Sequence, residues 1–66
     1  MTMAKFMLEI DIDNDAFQPD PDIEIARILH EAGMRVNGGM LGRKSRMGLR
    51  DSNGNTVGGY QIIEDA

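Results

Sequence analysis

Asp11-Ile12-Asp13-Asn14-Asp15 places side-chain oxygens at the first, third and fifth positions of a calcium-loop spacing, with Asp22 at the twelfth. Such a loop collects hard oxygen ligands around the ion, turns sharply at a glycine and closes with a bidentate Glu. Here Ala16 stands where the glycine belongs, Pro19 falls at the ninth position and the shorter Asp22 ends the run. These departures make the stretch a solvated strand end leading to a helix cap, and no metal is assigned to it. The chain has no Cys and one His, His30, so a zinc site has no thiolate to build on.

A second constellation is Gly38-Gly39-Met40-Leu41-Gly42-Arg43-Lys44-Ser45. It lacks the spacing of a P-loop and follows a helical pattern rather than a strand, which excludes that motif. A looser anion contact remains: glycine backbone amides together with Arg43, Lys44, Arg46 and Arg50 are candidate ligands for a phosphate group. Against this stands the use of the same cations for solubility or subunit pairing. His30 has no identifiable nucleophile or carboxylate partner, and Ser45 and Ser52 have no base. The chain therefore reads as non-enzymatic, with no catalytic residue and no cofactor.

The elements that must position these groups follow from periodicity. Lys5 to Asp13 alternates, with Phe6, Leu8, Ile10 and Ile12 on one side, which predicts a half-buried strand over 5–13. Asn14 to Asp22 is a polar connector. Asp20 before Pro21 predicts an N-cap with proline at the first helical position, and Asp22 and Glu24 suit the positive end of the helix dipole. Ile25, Ile28, Leu29, Ala32 and Val36 form one stripe of a helix over 21–37, ended by a left-handed Gly38-Gly39 cap.

A Gly/Arg loop over 38–46 leads to a hairpin over 47–63. Asn53-Gly54 predicts a two-residue type I′ turn, which would set Arg50 opposite Val57, Leu49 opposite Gly58 and Met47 opposite Tyr60. Met47, Leu49, Tyr60 and Ile62 then share one face. Gly48 opposite Gly59 leaves a shallow patch on the other face for close approach of a backbone or flat ligand, or marks a glycine bulge. The fold expected is α+β, in the order β-α-β-β, with one helix on a three-stranded, mainly antiparallel sheet.

Sixty-six residues with three aromatics make one domain, 1–66, with little interior. A chain of this size buries only ~60% of its unfolded surface. Without a disulfide, the remaining staple is another subunit, so a homodimer or higher oligomer is expected. Met1 to Leu8 is too short and interrupted for a signal peptide, and no run approaches a membrane span. The lack of Cys fits a reducing cytoplasm.

The net charge of −4 is unevenly placed: residues 1–31 hold eight acids against Lys5 and Arg27, whereas residues 32–66 carry a net excess of cations. The acidic stretch from Glu9 to Glu24 offers a surface to a basic partner. Direct nucleic-acid binding is disfavoured by the charge and the scarce aromatics.

The pattern Phe6-x-Leu8-x-Ile10-Asp11-x-Asp13-Asn14-x-Ala16-Phe17, then Glu24-Ile25-Ala26-Arg27-Ile28-Leu29, then Leu49-Arg50-Asp51-x-Asn53-Gly54-Asn55-x-Val57-Gly58-x-Tyr60 resembles a group of short uncharacterised proteins of tailed bacteriophages and prophages. The resemblance spans most of the chain outside the Gly/Arg loop, and its motifs are structural. It implies a phage accessory protein in the cytoplasm of the bacterial host, and it carries over no catalytic residue. Small proteins of this kind often counter host immunity. Two partner classes follow: a phosphate-bearing nucleotide signal held at Arg43, Lys44, Arg46 and Arg50, or a bacterial defence protein met by the acidic strand–helix junction. A virion or assembly component is the third class.

Overall fold

A computed structural model of the chain describes residues 3–43 and 45–65. Strand β1 spans Met3–Ile10, a 3-10 turn Asp15–Phe17, helix α1 Pro21–Asn37, strand β2 Met47–Arg50 and strand β3 Thr56–Asp65. The strands form one antiparallel sheet in the order β1-β3-β2, with α1 packed on one face. The architecture is thus the expected α+β arrangement. Among the described residues no helix is long and apolar enough to cross a membrane.

β1 ends at Ile10, not Asp13. The central strand explains why: β3 begins at Thr56, and Asn55 is already bonded to Asp51 in the hairpin turn. Asp11 N–H still reaches Val57 O at 2.7 Å, but beyond it only Thr56 remains before the hairpin turn. Asn14 then starts the 3-10 turn, its side chain accepting Ala16 N–H at 3.0 Å, and the turn delivers Phe17 into the core. Phe17, Ile28, Ala32, Leu49, Val57 and Tyr60 form that core. Ile12, assigned by alternation to the inner face, is exposed.

The helix begins at Pro21, but the Asp20 side chain makes no cap hydrogen bond. Its help, like that of Asp22 and Glu24, is limited to charge at the dipole's positive end. At the other end Gly38 keeps a negative φ, and Gly39 alone is left-handed at +95°. Met40 N–H donates to Arg35 O and Gly39 N–H to Val36 O, the paired bonds of a Schellman cap.

The hairpin departs from the two-residue turn and then recovers its pattern. Asp51 pairs with Asn55 around a three-residue loop, Ser52-Asn53-Gly54, with Gly54 at φ +85°. This is a type I turn followed by one left-handed residue. The longer loop sets Arg50 opposite Thr56 instead of Val57. Val57 is then the extra residue of a β-bulge, and beyond it Leu49 faces Gly58, Gly48 faces Gly59 and Met47 faces Tyr60. Loop and bulge shift the register in opposite senses and cancel. At Gly58 the backbones crowd: a Cβ there would lie 2.0 Å from Glu9 O.

Candidate functional site

Three groups of side chains compete for a functional role: the cations singled out from sequence, a polar cluster at the hairpin tip and an apolar groove beside β1.

The cations do not converge. Arg43 donates to Glu64 at 2.7 Å and Arg46 to Glu9 at 2.6 Å. In β3, Glu64 alternates in phase with Tyr60 and Ile62 on the helix-side face, whereas Glu9 lies opposite Gly59 on the other face. The two guanidinium groups are therefore anchored to carboxylates on opposite faces of the sheet. The Arg50 side chain is exposed, and its carbonyl accepts from Arg27 at 3.2 Å. Lys44 lies outside the described residues. A cavity of about 350 Å³ does lie in the Gly/Arg loop, lined by Gly39, Gly42, Arg43 and Ser45 among others. Its one described cation is already neutralised by Glu64.

The glycine patch is also altered. Gly48 and Gly59 face each other as expected, but the Arg46 guanidinium lies over Gly59, 2.8 Å from where a Cβ would sit. Gly48 O accepts Arg35 Nη1 at 2.6 Å. Close approach at Gly59 is thus made by the protein's own Arg46 on its way to Glu9.

The second group was not visible as a cluster in the sequence. Glu24 and Asp51 are both buried. Glu24 binds Arg27 through two bonds of 2.9 Å and also accepts Ser52 N–H at 2.7 Å. Arg27 extends the chain of charges to Glu31 at 2.8 Å. Asp51 accepts Asn53 N–H and Asn55 N–H at 2.9 Å and Asn14 Nδ2 at 2.7 Å. The Arg27 bond, above all, holds the Glu24 pKa below the usual value. Burial by itself would raise that of Asp51, but the hydrogen bonds from Asn55, Asn14 and Asn53 outweigh it and lower the value. Arg27 is raised further by Glu24 and stays charged. Among the described residues no buried side-chain polar atom is left without a partner. These charges are spent on joining the 3-10 turn, α1 and the hairpin tip. Nor is any group of three or more described His, Asp or Glu residues placed to hold a metal ion.

The third group lines a larger volume than the loop cavity. Because α1 leans toward β2, the inner face of β1 is left partly uncovered. A groove of about 460 Å³ runs there between Phe6, Leu8 and Ile62 of the sheet and Leu29 and Val36 of the helix, with Leu41 also in its lining. Phe6 and Leu29 are each nearly half exposed. Gly33 sits on the helix wall, and nothing lies within 4 Å of the position its Cβ would take. The groove's sequence signal was present in Leu29 and Phe6, both counted as interior by periodicity.

No family model, curated protein or solved structure matches the chain.

Proposed function

We propose that this chain is a non-enzymatic, self-associating binding protein that works by contact with another protein. In the setting implied by its resemblance to phage accessory proteins, the target is a component of host defence in the bacterial cytoplasm. The observation that carries this reading is the groove beside β1: its walls are apolar, its volume of about 460 Å³ exceeds the 350 Å³ of the loop cavity, and the packing leaves it unfilled. Water-exposed apolar surface of this kind marks an interaction site in a soluble protein. The charged side chains nearest the interior are by contrast engaged in bonds within the chain.

The test is capture from host lysate by tagged wild-type protein and by Leu29→Glu, whose charge would stand in the groove. A stoichiometric partner retained by the wild type and lost by the variant, with unchanged circular dichroism, supports the reading. Equal capture by both proteins refutes it.

A second reading, a phosphate-bearing small molecule in the loop cavity, requires Arg43 to exchange Glu64 for the phosphate. Calorimetry with signalling nucleotides decides it. Binding that disappears in Arg43→Ala would support it, and no heat with any nucleotide would remove it.

A further inference from the structure

β1 is an edge strand, and no other strand among the described residues lies along its outward side. Its ladder with β3 runs through eight pairs, Met3↔Asp65 to Ile10↔Gly58, without a bulge or proline. Asp11 N–H points to Val57 O in that ladder, and Ile62 N–H points the other way, to Gly42 O. Antiparallel pairing alternates these directions residue by residue. The N–H and C=O groups of Ala4, Phe6, Leu8 and Ile10 therefore face away from β3, along the free edge. An apolar edge of this length is a template for another strand.

We infer that the free edge of β1 pairs antiparallel with β1 of a second copy, about a two-fold axis at Met7, joining two sheets into one of six strands. This specifies the self-association in the reading above and rests on it. The register follows from two constraints. Outward-pointing residues must meet outward-pointing residues, which confines the two-fold axis to a residue, not to a point between residues. Among such axes, the one at Met7 sets Lys5 opposite Glu9 of the other copy, twice by symmetry. An axis at Phe6 would set Lys5 opposite Met7, and one at Leu8 would set Met7 opposite Glu9. The Leu8 register would also set Lys5 opposite Asp11, but Asp11 lies past the end of β1 at Ile10, so only the Met7 register pairs opposite charges within Met3–Ile10 of both copies.

The same register pairs Phe6 with Leu8 of the other copy on the helix-side face. These are the residues that floor the groove, so two grooves would meet across the axis. On the opposite face Met7 meets its own counterpart. Met7 is nearly half exposed in one chain, and Glu9 remains exposed while bonded to Arg46, so both are available.

The chain has no Cys, so Met7→Cys introduces a single thiol. Facing residues at a non-hydrogen-bonded pair lie about 4.5 Å apart between Cα atoms, within reach of a disulfide. Sedimentation of the full chain is expected to give twice the 7.3 kDa chain mass. Met7→Cys is expected to form a disulfide-linked dimer on mild oxidation, whereas Gln61→Cys, on the central strand, is not. Lys5→Glu should weaken dimerisation by about tenfold or more, because two attractive pairs become repulsive. Lys5→Glu with Glu9→Lys should recover much of it. A dimer in which Met7→Cys fails to cross-link, or which ignores Lys5→Glu, refutes the β1 interface while leaving self-association in place. A monomer at every concentration refutes both, and the capture experiment on Leu29→Glu still judges the groove separately.

Discussion

Asn14 Nδ2 donates to the buried carboxylate of Asp51 at 2.7 Å, tying the turn after β1 to a hairpin thirty-seven residues further along the chain. The same Asn14 accepts Ala16 N–H and so shapes the turn that carries Phe17 inward. Asn14→Ala removes both bonds at once. The expected loss is about 2 kcal/mol, the size of a hydrogen bond to a charged group plus an orphaned amide. Urea unfolding measures it, and a loss below a few tenths of a kcal/mol would show the link to be idle.

Glu24 and Asp51 both have lowered pKa values, so the sign of their pH dependence is fixed. Unfolding raises each toward the ordinary carboxylate value of about 4, and the unfolded chain takes up protons first. Their contribution is complete above that value and is lost as the pH falls toward the lowered folded values. The urea midpoint should be level from pH 7 to 5 and fall below about pH 4. Asp51→Asn and Glu24→Gln should each flatten that fall. An unchanged profile in both variants would place the acid sensitivity elsewhere.

Two glycines should respond to alanine in opposite directions. At Gly58 a Cβ meets Glu9 O at 2.0 Å, a backbone atom that cannot turn aside, so β1 must part from β3. Gly58→Ala is expected to cost about 3 kcal/mol, the upper end for overpacking, a large share of a small domain's stability. At Gly33 the added methyl meets nothing within 4 Å, and helix propensity favours it by about 1 kcal/mol. Thermal melts of the two variants check this. A melting point for Gly58→Ala equal to wild type would contradict the close approach.

Tyr60 is fully buried and donates to Met40 O at 2.6 Å, holding the loop after α1 against the sheet. Tyr60→Phe keeps the ring and leaves that carbonyl without its partner, at an expected cost of about 1–2 kcal/mol. Amide exchange should quicken at Gly39 to Gly42 before it changes in β1. Uniform exchange across the chain would argue that the hydroxyl does not anchor the loop.

The helix, the three strands and the face shared by Met47, Leu49, Tyr60 and Ile62 were legible because periodicity and caps record local geometry directly. Asn53-Gly54 located the hairpin but not its turn type, since the Asn53 and Asn55 N–H groups both donate to the carboxylate of Asp51, a residue outside the dipeptide. Phe17 was hidden because a lone aromatic in a polar connector has no periodic neighbour to mark its side. In the sequence Glu24 reads as a first-turn acid, and only the fold brings Ser52 N–H to it. The scatter of Arg43 and Arg46 depends on Glu64 and Glu9 lying on opposite faces, a matter of strand phase that the cations' own spacing does not contain.

The extra loop residue and the Val57 bulge form a matched pair, and this constrains how the ribbon can change length. Deleting one loop residue while keeping both a three-residue turn and the bulge would slide β2 by a single step along β3. Gly48 would then turn toward the helix and Leu49 toward water, exchanging interior for surface along the whole strand. A compensated double deletion would leave the parity of every side chain intact. Where the three-residue turn is kept, insertions and deletions in this segment should therefore survive in pairs, whereas a deletion that shortens the turn to two residues around the Asp51–Asn55 pair leaves the register in place.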